Sequence, residues 1–132
     1  EAGSDTLTSR RETGRAIMRE VLGDEYFERR EATTSAFNMP VRIFSEEACF
    51  GDVWTRPGLD RSTRSLILIA VMTAMGKPTE LRAHVRSAIN NGCTVQEIQE
   101  VLYQCTIYCG LPAGIEGFRT AEETLRELGK VD

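Results

Sequence analysis

Apolar residues along the chain recur at helical spacing, and the two-residue alternation of strands is scarce. From Thr6 to about Ala36, Ile17, Val21, Leu22, Tyr26 and Phe27 share a face, predicting one helix or two parted at Gly23. Asn38-Met39-Pro40 breaks this segment. Ser45 is then read as the cap of a short helix through Phe50 to Trp54, with Glu46 and Glu47 in its first turn. Arg56-Pro57-Gly58 is a turn.

Asp60 is placed to cap a helix running to about Met75, ended by Gly76. Its stretch from Leu66 to Met72 is apolar on every side, which suits the middle of a fold or a subunit interface. Pro78 opens a helix to Asn91, with Gly92 at the position that follows a helix end. Thr94 and Glu97 form a capping-box pattern before a helix to about Tyr108. Gly110 and Pro112 punctuate, and a last helix runs from about Ala113 to Leu128. The expectation is an all-α, compact single-domain helical bundle of about six helices over residues 1–132, with antiparallel neighbours.

Composition narrows the functional classes. The net charge of −4 argues against nucleic acid as a partner. Arg10-Arg11 and Arg29-Arg30 read as solvated helix faces. No stretch reaches the roughly 18 apolar residues of a membrane span. The polar run Glu1 to Arg10 shows no secretory signal. Four cysteines, Cys49, Cys93, Cys105 and Cys109, are too sparse for a disulfide scaffold, so the expectation is a reduced, cytoplasmic protein.

His84 is the single histidine, with Glu80 one turn earlier on the same helix face. A carboxylate there can orient an imidazole and raise its pKa, which suits acid–base work. An ordinary surface pair is the alternative. Zinc is poorly supported, because no second histidine or Cys-x-x-Cys accompanies His84. Cys105 and Cys109 share a face in an apolar run and read as core packing rather than redox chemistry. Neither a Gly-rich phosphate loop nor a serine nucleophile elbow is present.

A longer pattern decides between these readings. The stretch Trp54-Thr55-Arg56-Pro57-Gly58-Leu59-Asp60, then Thr63-Arg64-Ser65, resembles the signature of the 4-carboxymuconolactone decarboxylases. The likeness continues through Glu80-Leu81, His84, Ala88 and Gly92, then Thr94, Glu97-Ile98, Gln104, Tyr108-Cys109-Gly110 and Pro112-Ala113. It implies an alkylhydroperoxidase-like helical fold, a ring-like homo-oligomer (trimer or hexamer) and a small lactone carboxylate as substrate. It implies decarboxylation in aromatic-acid breakdown without cofactor or metal, since the lactone itself can accept the electrons. His84 would then donate a proton with Glu80 orienting it. Arg56 and Arg64 would clamp carboxylates, unless they merely pair with Asp60 or Glu80. Trp54 and Tyr108 would wall the site, unless they are core aromatics.

Related thiol peroxidases carry Cys-x-x-Cys before this histidine. Here Lys77 and Glu80 stand at those places, which disfavours a thiol-dependent peroxidase or disulfide reductase. The chain also departs from the decarboxylase pattern. Phe50-Gly51 replaces a usual Trp-Gly, and Ile115 stands where a polar Asn is common. A paralogue acting on another lactone, or a non-catalytic helical binding module, remains as the alternative.

Overall fold

A computed structural model describes residues 2–132, with side chains from Ser9 onward. Glu1, and the side chains of the polar run through Thr8, lie outside the described residues. Among the described residues the regular structure is helical throughout. Seven α-helices occur among these described residues: α1 Ala2–Leu22, α2 Asp24–Ala32, α3 Met39–Phe44, α4 Arg61–Met75, α5 Pro78–Asn90, α6 Val95–Cys109 and α7 Leu111–Glu127. A π-helical turn, Ser45–Phe50, and a 3₁₀ turn, Val53–Thr55, lie between α3 and α4. The chain forms two units, Glu1–Leu59 and Asp60–Asp132.

In the first unit the predicted long helix is two. Gly23 takes φ 93°, a value that only glycine adopts without strain, and α2 restarts at Asp24. The helix also ends at Ala32 rather than Ala36, where the Thr33 and Thr34 hydroxyls donate to the Arg30 carbonyl and compete with further helical bonds. Two expectations for the next segment are corrected. Pro40 does not merely break the chain; it occupies the first turn of α3, where its missing N–H costs nothing. Ser45 does not cap a helix, because α3 runs straight into the π-helical turn. α1 approaches this turn so closely that a Cβ on Gly14 would lie 1.7 Å from the Glu46 carbonyl oxygen.

The packing of that turn overturns a further reading. Arg11 and Arg30 are not solvated charges. Both point at Glu46, which is 1% exposed, and Arg15 joins them. Arg11 Nε donates at 2.6 Å, and Arg15 Nη1 and Arg30 Nη1 each at 2.9 Å. Glu46 is therefore a buried ion-pair centre rather than a solvated first-turn acid. Burial pushes its carboxyl up, but the hydrogen bonds and charges of Arg11 and Arg30 outweigh this, and the net shift is downward.

The second unit follows its local signals. The Asp60 side chain accepts from the Thr63 N–H at 2.9 Å. Gly76 ends α4 in the left-handed region. Both hydrogen bonds of the Thr94–Glu97 capping box form. α4 packs on α5 and α6, and α7 packs on α5 and α6. Ile69, Leu81, Val85, Ile98, Leu102 and Leu125 build the core between them. Asn91 donates to the buried Ser65 hydroxyl at 2.9 Å, joining the end of α5 to α4. On the surface Arg82 and Arg86 pair with Glu123 and Glu127, one turn apart along α5 and α7. The apolar stripe of α4 is only partly absorbed: Ile69 is fully buried, but Ile67, Val71 and Met75 remain exposed.

Candidate functional site

His84 and Glu80 sit on α5, which Pro78 starts at a fixed register, so they fall on one face a turn apart. Glu80 is exposed and His84 half-buried. The His84 Nδ1 is buried and has no hydrogen-bond partner. No Glu80–His84 hydrogen bond forms among the described residues; Glu80 acts on the ring through its charge alone. Burial lowers the imidazole pKa and the Glu80 charge raises it; burial wins. The expected rise of the His84 pKa is thus corrected to a fall, and the resting ring is neutral at pH 7.

Arg64 is half-buried on α4, the helix that packs against α5. Arg64, Glu80 and His84 thus share the second unit, and Trp54 and Arg56 belong to the first. Trp54 is buried and stacks on Phe50 with ring centroids 5.8 Å apart, as a core aromatic does. Arg56 is exposed and pairs with the Asp52 carboxylate at 3.9 Å. Such an exposed pair holds a guanidinium only weakly.

Tyr108 corrects the core alternative: it is 82% exposed. It lines an apolar groove of about 500 Å³ between α4 and α6, with Leu66, Ile67, Ala70, Val71 and Cys105. His84, Glu80 and Arg64 are not among the groove's lining residues. The reading of both cysteines as core holds for Cys105, which is 7% exposed, and fails for Cys109, which is exposed on the last turn of α6. No group of three or more His, Cys, Asp or Glu side chains comes together as a cation cage among the described residues. The Glu46 cluster was missed from sequence; its partners are 16 to 35 residues away, and no local pattern announces them.

Glu80 and His84 lie one turn apart on α5, and Arg64 lies on α4, which packs against it. Residues 44–123 match the Carboxymuconolactone decarboxylase family, and the chain belongs to that family. It is similar to the 4-carboxymuconolactone decarboxylase of Acinetobacter baylyi, 41% identical over 116 residues that cover 88% of this chain and 87% of that protein. It is also similar to the nitrosuccinic acid decarboxylase of Metarhizium robertsii, 36% identical over 129 residues, covering 97% of this chain and 90% of that protein.

Proposed function

We propose that this protein is a cofactor-independent carboxy-lyase that converts 4-carboxymuconolactone to the β-ketoadipate enol-lactone and CO₂ in protocatechuate breakdown. The observation that carries the reading is the 41% identity to a decarboxylase of that substrate along nearly the whole chain. The family match spans Trp54, Arg56, Arg64, Glu80, His84 and Tyr108.

The substrate carries the electron sink. The departing carboxylate sits on a carbon conjugated through a double bond to the lactone carbonyl. As the C–C bond breaks, CO₂ leaves and its electron pair passes into an oxyfuran-type dienolate. A proton on ring carbon completes the reaction. In this reading Arg56 and Arg64 hold the carboxylates, Trp54 and Tyr108 wall the ring, and His84 delivers the proton with Glu80 supporting the imidazolium. A bound dianion reinforces the Glu80 charge and opposes the effect of burial on His84, so substrate itself promotes the protonated ring.

The reading includes a cytoplasmic homo-oligomer, a trimer or hexamer. The exposed apolar side chains of α4 support assembly, since a surface of that kind is costly to leave in water. No helix among the described residues is long and apolar enough to cross a membrane.

The similarity to nitrosuccinic acid decarboxylase favours a second reading, a paralogue that decarboxylates another activated carboxylic acid. Ile115, exposed near the start of α7 and standing where the decarboxylase pattern implies a polar Asn, fits such a change of substrate. A spectrophotometric assay with freshly generated 4-carboxymuconolactone separates the two. Rapid enol-lactone formation supports the first reading. No turnover there, with CO₂ release from nitrosuccinate, replaces it with the second.

A further inference from the structure

A second cavity, of about 380 Å³ and open to solvent, lies wholly within the first unit. Tyr26, Arg29, Arg30, Ala32, Thr33 and Arg42 line it, so three of its six residues are arginines and none is acidic. Its volume is in the range that holds small ligands, roughly 300–1,000 Å³.

The three guanidinium groups differ in what already neutralises them. Arg30 is committed: its Nη1 lies 2.9 Å from Glu46 and 3.3 Å from Glu31, and its Nη2 donates to the Arg42 carbonyl and to Ser45. Arg29 has one long, exposed pairing with Glu25 at 3.9 Å, a geometry that contributes little in water. Arg42 is half-buried and donates to neutral oxygens, the Arg30 carbonyl at 3.3 Å and Thr33 Oγ1 at 3.2 Å. No carboxylate lies within ion-pair distance of it among the described residues.

Capping the end of α2 does not by itself account for this arrangement. The hydroxyls of Thr33 and Thr34 already donate to the last carbonyls of α2. Arg42 spends two of the five donors of its fork on this corner. On a chain of net charge −4, Arg42 with neutral acceptors and Arg29 with one weak pairing leave positive charge at this one spot.

We propose that this pocket is a binding site for a small oxyanion, a phosphate or a dicarboxylate, gripped by Arg42 and Arg29. Planar forked donors bind either group through paired charge-assisted hydrogen bonds. The compact pocket and the acidic chain favour a small anion over a nucleic acid. The inference uses none of the residues assigned to decarboxylation and stands whichever substrate the enzyme takes.

The test is calorimetric titration of the intact protein with inorganic phosphate and, separately, with succinate, at ionic strength held constant with chloride. Saturable binding of either is expected, and the anion that binds names the source. Arg29→Gln and Arg42→Gln should each weaken it about tenfold or more, and Arg42→Lys should weaken it less than Arg42→Gln. Arg82→Gln, in the other unit, should leave it unchanged. Arg29 is exposed and its substitution does not threaten folding, so Arg29→Gln decides the matter even if Arg42 variants melt early. No saturable binding of either anion overturns the proposal. So does binding that the Arg29 variant leaves intact.

Discussion

Arg30 Nη1 lies 2.9 Å from Glu46 Oε2, with 6% of one side chain and 1% of the other exposed to solvent. A buried pair of this kind contributes less net stability than its geometry suggests, because both ions lose their water. Breaking it is another matter. Glu46→Ala would leave Arg30 buried without its main counter-ion and strip Arg11 of its own, while Arg15 keeps Glu31 at 2.6 Å. We expect a loss of about 3–5 kcal/mol in denaturant melts. A loss under 1 kcal/mol would show that water reaches the cluster. The Glu46 carboxyl is held below its ordinary value, so its contribution is present above that value and disappears as pH falls through the folded one. Stability should therefore fall less steeply with acid in a Glu46→Gln variant than in the parent protein.

The cysteines should behave as two classes. Cys93 is buried, its thiol pushed up to about 11 by burial and by the charges of Glu97 and Asp60. Burial also raises Cys105, and Cys49 is half-buried and raised. Cys109 is exposed. A thiol reagent at pH 8 should modify Cys109 rapidly and the rest only on unfolding. Cys105→Ala should cost about 1–2 kcal/mol and Cys109→Ala almost nothing. Fast labelling of several thiols in the folded protein would contradict this placement.

Ile67, Val71 and Met75 project from α4 with 45%, 37% and 61% of their surface exposed in one copy of the chain. If a second copy covers them, light scattering should give a trimer or larger. Ile67→Glu and Val71→Glu should shift that species towards monomer without lowering helix content. An active parent protein that stays monomeric at micromolar concentration would end this reading.

What the sequence made legible was whatever is encoded within one or two turns. The Asp60 cap, the Gly76 stop and the Thr94–Glu97 box form as read, because each depends on residues three or four apart. The π-helical turn did not announce itself, since close approach of α1 at Gly14 helps shape it and that contact is remote in sequence. The same limit hid the Glu46 cluster, whose charges looked like solvated faces until brought together. At the candidate site, Glu80 and His84 were legible as a pair by spacing. The direction of the His84 shift was not, because burial set by packing outweighs the neighbour that the sequence displays.

That shift sharpens the kinetic expectation for His84. Its free-enzyme pKa lies below the ordinary value of about 6.5, through burial that the Glu80 charge only partly offsets. If the imidazolium delivers the proton, kcat/KM should fall as pH rises through this lowered pKa, because that ratio reports the free enzyme. Bound dianion favours the imidazolium, so the corresponding limb of kcat should lie at higher pH. Glu80→Gln removes a charge that favours protonation and should move the kcat/KM limb further towards acid. His84→Gln keeps approximate size but cannot donate a proton in this range. It should lower kcat by on the order of 10²- to 10⁴-fold with a smaller change in KM, since the lost interaction belongs to the transition state. If the two residues act as one unit, the double variant should be little worse than His84→Gln alone. Folding has its own signature in the same titration. With the folded pKa depressed, the neutral ring's stabilisation is present above about pH 6.5 and is lost as pH falls through the folded value, a dependence that His84→Gln should abolish. Full turnover in a folded His84→Gln protein would remove the imidazole from the proton step and pass that role to Glu80, the nearest acid on the same face of α5.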